Sequence, residues 1–234
     1  MLSYIRFVLV AFYTFLSSFV AGVSALLDRS FTAYTHVGKY YAKGVFFLGG
    51  IKLKVVGSEK IDPKKVYVFV SNHSSQFDIP ALQAAIPNKI GIVFKQELGK
   101  IPVFGWQLKI GPYIMVDRKN AESAMRSIEE AKEKMKQKKL SPVVFAEGTR
   151  SENGEVQSFK RGAFYLAVKA GYPIVPVSVS GSYKLLPKGK FSIKRGTITV
   201  TFDDPIDTSS ILTRKDENDL MEKVRNIVIK NIKE

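Results

Sequence analysis

The stretch that decides the fold is VYVFVSNHSSQFD, residues 66–78. Its first part, residues 66–71, is a charge-free run of mostly β-branched and aromatic side chains, which is typical of a buried strand. Its second part is polar and leads into a helical stretch at residues 76–86. A short buried strand followed at once by a helix is typical of α/β folds, so the stretch predicts a sheet covered by helices.

The same alternation of strands and helices continues on both sides of this stretch, from residue 51 onward. Further strands are predicted at residues 51–56, 90–95, 113–116, 143–146, 174–179, 191–194 and 197–202. Further helices are predicted at residues 103–108, 121–138, 162–170 and 214–233. The last two strands are predicted to form a hairpin that turns at Arg195-Gly196. We therefore expect an α/β fold with a mixed central sheet covered by helices.

The N-terminal part of the chain is different, because residues 7–27 contain no charge. As a helix this run would be about 30 Å long, close to the hydrocarbon thickness of a bilayer. Three serines and a glycine make it only moderately apolar, so a helix that lies in one leaflet is an alternative to a spanning helix. A signal peptide with a cleavage site at Val23-Ser24-Ala25 is a second alternative.

A second, amphipathic helix is predicted after a turn at Asp28-Arg29-Ser30. Its polar face carries Arg29, Thr32, His36, Lys39 and Lys43, and its apolar face carries Tyr34, Val37, Tyr41, Val45 and Leu48. Basic amphipathic helices lie in the headgroup plane with the apolar face toward lipid. The alternative is a helix that packs on the folded domain and leaves its lysines in solvent.

These two helices predict a division of the chain at Gly49-Gly50. Residues 1–50 would be a two-helix membrane-associating segment, and residues 51–234 an α/β domain. If the first helix spans the membrane, the basic residues that follow it place the α/β domain on the cytoplasmic side. The predicted location is therefore the inner, cytoplasmic membrane.

Composition restricts the chemistry. The 234 residues include 36 Lys and Arg against 21 Asp and Glu, a formal charge of +15, which favours anionic partners such as phospholipid headgroups or phosphorylated small molecules. Nucleic acid is not expected, since the lysines of residues 132–139 are interleaved with Glu133 and no RNA-binding aromatic motif is present. There is no cysteine, which excludes disulfides, cysteine-ligated metals and a cysteine nucleophile.

His73 and Asp78 are the candidate base and its carboxylate partner. His73 is one of two histidines and follows a predicted strand, where active-site groups of open α/β sheets lie. Imidazole is the natural base near neutral pH, and Asp78 can reach back to accept one ring N–H. Because there is no G-x-S-x-G motif, a bound alcohol would attack an activated acyl group directly. The alternative is a capped helix start that happens to contain a histidine.

A second polar stretch, FAEGTR at residues 145–150, follows the predicted strand at residues 143–146. Gly148 permits a sharp turn, and Arg150 can bind a phosphate with two parallel hydrogen bonds. Lys95 and Asp117-Arg118 end two other predicted strands. Basic residues at several strand ends predict an anion pocket, although each one alone is more typical of a solvated surface charge. No P-loop, dinucleotide-binding motif or cluster of metal ligands is present, so neither a metal nor a cofactor is predicted.

These stretches jointly resemble the glycerolipid acyltransferases, and most closely the bacterial lysophosphatidic acid acyltransferases. Four blocks carry the resemblance in the family's order, namely Asn72-His73 with Asp78, residues 111–118, residues 145–151 and Val175-Pro176-Val177. The chain departs from the family at Ala146, where proline is usual. The resemblance extends over residues 51–204 and implies the family's fold, a mixed α/β sheet with an N-terminal two-helix motif.

The resemblance also implies a role for each site residue. His73 would be the general base on a glycerol hydroxyl, and Asp78 would orient it. The implied substrate-binding residues are Lys95, Arg118, Glu147, Gly148, Thr149, Arg150 and Pro176. Among them, Arg150 would bind the substrate phosphate together with Lys95 and Arg118. Glu147 would bind the glycerol backbone or support the site, and Pro176 would shape the acyl-donor side.

The implied reaction moves an acyl chain from a thioester of acyl carrier protein or coenzyme A to the sn-2 hydroxyl of lysophosphatidic acid. The product is phosphatidic acid, and the thioester supplies the activation, so no cofactor is needed. The implied partners are the phospholipid bilayer, lysophosphatidic acid and the acyl thioester. One alternative is another acceptor, either glycerol-3-phosphate or a different lysolipid. A more distant alternative is a non-catalytic basic protein that binds membranes or nucleic acid.

Overall fold

The computed structural model describes residues 1–116 and 121–232. Its strands are β1 (Ile51–Val56), β2 (Val68–Ser71), β3 (Ile90–Lys95), β4 (Ile114–Val116), β5 (Ser141–Phe145), β6 (Ile174–Ser180) and β7 (Gly196–Phe202). Its helices are α1 (Leu2–Leu27), α2 (Thr32–Gly49), α3 (Asp78–Ala85), α4 (Phe104–Ile110), α5 (Ala121–Lys138), α6 (Gly162–Ala170), α7 (Ser182–Leu185) and α8 (Arg214–Asn231).

The seven strands form one sheet in the order β1-β7-β6-β2-β5-β3-β4. All neighbouring strands are parallel except β6 and β7, which are antiparallel. The sheet is therefore mixed and covered by helices, and this confirms the predicted fold. Because β2, β3, β5 and β6 run in one direction, the loops that follow them meet at one edge of the sheet.

Two hydrophobic clusters lie on opposite faces of the sheet, since side chains alternate along each strand. Phe69 of β2 belongs to the cluster that also contains residues of α1, α2, α3 and α4. Val68 and Val70 belong to the cluster formed with α5, α6 and α8. Burial on both faces explains why β2 is apolar at consecutive positions, Val68 to Val70.

The strand predicted at residues 191–194 is wrong, and so is its hairpin. Both edges of β7 are already paired, one with β6 and the other with β1, so no edge is left for a further strand. The backbone N–H groups of this segment go elsewhere. Ile193 N–H donates to the Ser3 carbonyl and Lys194 N–H to the Leu185 carbonyl, each at 3.0 Å. The segment therefore ties the start of α1 to the end of α7.

Helix α1 is long and apolar enough to cross a membrane, with a mean hydropathy of 1.9 over its most apolar window. It packs against α2 and α4, yet only Ser18 and Ala25 are buried along its 26 residues. Large apolar side chains such as Phe12 and Phe19 are exposed by more than half. An exposed apolar surface of this size is typical of a membrane-contacting helix.

The apolar face of α2 does not lie toward lipid as predicted. Tyr34 and Val45 are buried and belong to the cluster that covers the sheet, whereas His36 and Lys43 on the polar face are exposed. The alternative of a helix packed on the folded domain is therefore right for α2. The two predicted domains are packed together, and their division at residue 50 stays a prediction.

Candidate active site

His73 and Asp78 are brought together where β2 ends and α3 begins. Asn72 joins the loop between them to β6, since its Nδ2 donates to the Val179 carbonyl at 2.9 Å and its Oδ1 accepts from Val179 N–H at 2.8 Å. His73 Nδ1 lies 2.8 Å from Asp78 Oδ2. Because an ionised carboxylate only accepts, Nδ1 is the donor and Nε2 carries no proton in the neutral imidazole. The structure thus provides a positioned base.

The Asp78 carboxylate is fully buried, and four groups donate to it. Oδ2 accepts from the His73 ring and from the backbone N–H groups of Ser74 at 2.7 Å and Ser75 at 2.8 Å. Oδ1 accepts from Ser182 Oγ at 2.5 Å. Several donors are what a buried carboxylate needs in order to stay ionised.

Two residues at the end of β5, Phe145 in the strand and Glu147 just after it, contact His73. The His73 ring stacks on the Phe145 ring with centroids 3.9 Å apart. The buried Glu147 carboxylate accepts from His73 N–H at 2.6 Å and from Gln157 N–H at 3.0 Å. Burial raises the pKa of Glu147 more than these two hydrogen bonds lower it. These contacts favour a supporting role for Glu147, one of the two roles predicted for it.

A largely apolar cavity of about 540 Å³ lies beside the pair. One wall is a stripe of α1 residues spaced at one helical turn, namely Val10, Thr14, Ser18 and Ala21. Other walls come from α2, α3 and α4, and His73 itself lines the cavity with 15% of its side chain exposed. Arg150 is the cationic side chain among the described residues that line it. The base therefore borders a space suited to an apolar chain with an anionic end.

The sequence and fold have known relatives. The sequence profile of the Acyltransferase family matches residues 52–180. The chain belongs to the acyltransferase family. It is 32% identical over 188 residues to a 1-acyl-sn-glycerol-3-phosphate acyltransferase of Limnanthes douglasii, covering 80% of this chain and 66% of that protein. It is 31% identical over 220 residues to the enzyme of that name from Saccharomyces cerevisiae, covering 91% and 72%.

A solved structure is similar to this acyltransferase over nearly its whole length. The crystal structure of the 1-acyl-sn-glycerophosphate acyltransferase PlsC from Thermotoga maritima covers 97% of this chain and 94% of its own, with a TM-score of 0.77 and 28% identity. The chain spans slightly less than two thirds of the Limnanthes relative. The predicted family, fold and enzyme class are confirmed, and the exposed apolar α1 indicates membrane association in this acyltransferase.

The acyltransferase brings some predicted site residues together and leaves others apart. Arg150 lines the cavity with His73, whereas Lys95 and Thr149 are exposed and do not line it. Pro176 lies within β6, opposite Val70 of β2. Arg118 lies outside the described residues. Among the described residues, no group of three histidine or carboxylate side chains is placed to hold a metal ion.

Lys160 is a further cation that lies against the turn after Glu147. Gly148 has φ of 76°, and a Cβ atom there would lie 3.1–3.2 Å from Cδ, Cε and Nζ of Lys160. The Lys160 N–H donates to the Ala146 carbonyl at 2.7 Å, and the exposed Lys160 side chain lies against this turn, which leads to Arg150. Arg161 does not join them, because its Nε donates to Glu217 on α8 at 2.5 Å.

Sequence reasoning missed Ser182, Phe145 and Asn72 as parts of this acyltransferase site. Ser182 is 104 residues away from Asp78 in the chain, so no local spacing could relate them. Phe145 reads as an ordinary strand residue. A signal existed only for Asn72, a polar residue directly after an apolar strand, because such residues often bond to a neighbouring strand.

Proposed function

We propose that this acyltransferase is a 1-acyl-sn-glycerol-3-phosphate acyltransferase, which transfers an acyl chain from a thioester to the sn-2 hydroxyl of lysophosphatidic acid. The observation that carries the proposal is the His73–Asp78 pair, bonded at 2.8 Å, on the wall of an apolar cavity that also contains Arg150. The relatives from Limnanthes and yeast have this activity in their names. Lysophosphatidic acid has the matching parts, namely a hydroxyl, a phosphate and an apolar tail.

The base acts through Nε2, since Nδ1 is occupied by Asp78. Nε2 accepts the proton of the sn-2 hydroxyl while that oxygen attacks the thioester carbonyl carbon. The new C–O bond forms, the tetrahedral intermediate collapses, and the C–S bond breaks. The imidazolium then returns its proton to the leaving thiolate. Asp78 stabilises the imidazolium and keeps its orientation.

The substrate phosphate binds next to the turn after β5. Arg150 lines the cavity, and the exposed Lys160 side chain lies against Gly148 of the same turn. Two cations close to one phosphate suit its charge and its three acceptor oxygens. The phosphate contacts of Lys95 and Arg118 stay predictions, as do the roles of Thr149 and Pro176.

The acyl donor is a thioester of acyl carrier protein or coenzyme A, and the reaction requires no cofactor because the thioester is already activated. The acceptor comes from the bilayer, where the exposed apolar surface of α1 lies. Each CH₂ group that stays in lipid contributes about 0.8 kcal/mol, so an enzyme that works at headgroup depth avoids extracting the whole tail. We place the protein at the inner membrane, with the sheet on the cytoplasmic side.

The test is acyl transfer in mixed micelles with His73→Ala and a matched control. The control is His36→Ala, which removes the other histidine, an exposed side chain on α2. We expect phosphatidic acid from wild type and from His36→Ala, and a loss of at least about 100-fold in His73→Ala. Equal activity of all three proteins would remove the base assignment. Faster acylation of glycerol-3-phosphate than of lysophosphatidic acid would change the acceptor.

A further inference from the structure

Ser182 contacts the Asp78 carboxylate at the oxygen that does not face His73. Its side chain is fully buried, and its Oγ lies 2.5 Å from Asp78 Oδ1. The other three donors to Asp78 all bond to Oδ2. Among the described residues, Ser182 is therefore the one donor to Oδ1, and its hydrogen bond adds to the three on Oδ2 in opposing rotation of the carboxylate about its Cβ–Cγ bond.

The direction of each hydrogen bond follows from the number of protons. Ser182 has one hydroxyl hydrogen, and the carboxylate has none, so Ser182 donates to Asp78. The contact of 3.0 Å between Ser74 Oγ and Ser182 Oγ must then have Ser74 as its donor. The result is a directed chain from Ser74 through Ser182 to Asp78, and bonds in such a chain polarise one another.

The backbone at the end of β6 is shaped to deliver this hydroxyl. Gly181 has φ of 84°, and a Cβ atom there would lie 2.4 Å from the Thr197 carbonyl oxygen. Only glycine fits both the conformation and this approach to β7. The turn places Ser182 directly beside the loop that carries His73, although the two belong to different strand ends.

We propose that Ser182 is a positioning residue that holds the Asp78 carboxylate in the orientation needed to keep His73 as its Nδ1–H tautomer. This inference rests on the proposed function, because it assumes that His73 is the base. With Ser182 in place, Oδ2 faces Nδ1 and Nε2 is free to accept a proton. Without it, Oδ1 has no donor and the carboxylate is held at Oδ2 alone, so it can pivot about that oxygen. The imidazole then samples the other tautomer, which cannot act as base toward the cavity.

The experiment compares Ser182→Ala with Ser178→Ala in full-length protein. Ser178 is a buried serine of β6, the strand that leads to Ser182, and its hydroxyl bonds to the Val228 carbonyl at 3.2 Å, away from the pair. We expect kcat to fall roughly tenfold in Ser182→Ala, the effect of one hydrogen bond to a charged group, with KM for both substrates unchanged. Ser178→Ala should keep the wild-type kcat.

A spectroscopic measurement separates positioning from a general loss of structure. The chain has two histidines, so ¹⁵N-histidine labelling gives two imidazoles, and His36 is an exposed reference. Near pH 8, above the ordinary titration range of imidazole, His73 should be the Nδ1–H tautomer in wild type and Ser178→Ala and a mixture in Ser182→Ala. If Ser182→Ala does not fold, Ser182→Cys retains a weak donor and should show the same changes to a smaller extent.

The possible results distinguish a failure of the role of Ser182 from a failure of the proposed His73–Asp78 pair. A wild-type kcat and a single His73 tautomer in Ser182→Ala, while Asp78→Asn loses activity, would overturn the role of Ser182 alone. A loss of kcat in Ser182→Ala with an unchanged tautomer would overturn it as well. Full activity of Asp78→Asn would instead overturn the proposed pair, and the inference with it.

Discussion

Glu147→Gln tests whether the FAEGTR stretch supports the base or binds the substrate. The Glu147 carboxylate accepts two backbone N–H groups, from His73 at 2.6 Å and from Gln157 at 3.0 Å. Glutamine has the same shape but only one acceptor oxygen, and its NH₂ group would face a second donor. One of the two backbone groups must therefore lose its partner inside the protein.

The size of the effect follows from these two bonds. A hydrogen bond to a charged group contributes about 1.5–3 kcal/mol, and a buried N–H without a partner costs about 1–3 kcal/mol. Part of this is offset, since burial raises the pKa of Glu147 and the neutral amide avoids that desolvation. We expect a net loss of roughly 3 kcal/mol in the free energy of unfolding, which lowers Tm by about 6–12 °C in a chain of this length.

The assay combines thermal unfolding in detergent with steady-state kinetics. The control is Glu155→Gln, which neutralises an exposed carboxylate in the following loop and should change Tm by no more than about 1 °C. In Glu147→Gln we expect kcat to fall with Tm, because the His73 loop loses its support. An unchanged Tm together with a raised KM for lysophosphatidic acid would refute this reasoning and assign Glu147 to substrate binding.

Three further predictions concern the turn, the core and the membrane. Gly148→Ala should raise KM for lysophosphatidic acid several-fold by displacing Lys160. The control is Gly189→Ala, where φ is also 76° but the space is open, so the substitution should cost only the backbone strain of about 1–2 kcal/mol. Equal KM values in the two variants would remove Lys160 from the site. Burial raises the pKa of Tyr113 to about 12 from 10.0, and because the unfolded chain loses that proton first, stability should fall by up to roughly 3 kcal/mol as the pH rises from 10 to 12. Burial also raises the pKa of Tyr34 and Tyr41, so urea unfolding of Tyr113→Phe should show a smaller fall than wild type, and an equal fall would contradict the assignment. Trp106 is the one tryptophan, and it is 60% exposed on α4, which packs against α1. Its fluorescence emission should therefore shift to shorter wavelength when the protein binds anionic vesicles. Unshifted emission from bound protein would place α4 outside the membrane interface.

The sequence was sufficient for the central strands because both of their faces are buried. A strand such as β2 is apolar at each position before its last residue, Ser71, and that pattern depends little on its neighbours. The segment at residues 191–194 was not predictable in this way, since its alternation of Phe191 and Ile193 with polar residues is also typical of an edge strand. What decides its structure is the Ser3 carbonyl, which binds Ile193 N–H from the far end of the chain.

The same limit applies to the site. The spacing of His73 and Asp78 was informative because both lie in one loop and one helix start. Ser182 and Phe145 arrive from other strand ends, and their contacts with the pair depend on the order of strands in the sheet. For α2, the amphipathic helix was predicted correctly, but its apolar face packs on the folded domain and not on lipid. An apolar helix face suits a protein core and a bilayer equally well, so the pattern alone could not decide between them.

Helix α1 has two surfaces that make different contacts. One stripe of its side chains lines the cavity beside His73, while others, including Phe12 and Phe19, are exposed. Its first turn is also joined to residue 193 through Ser3. An unrelated membrane anchor in its place would bring the protein to the bilayer but leave the cavity without a wall. Adaptation to a thicker or thinner membrane and selection for a different substrate chain would therefore act on the same helix and constrain each other.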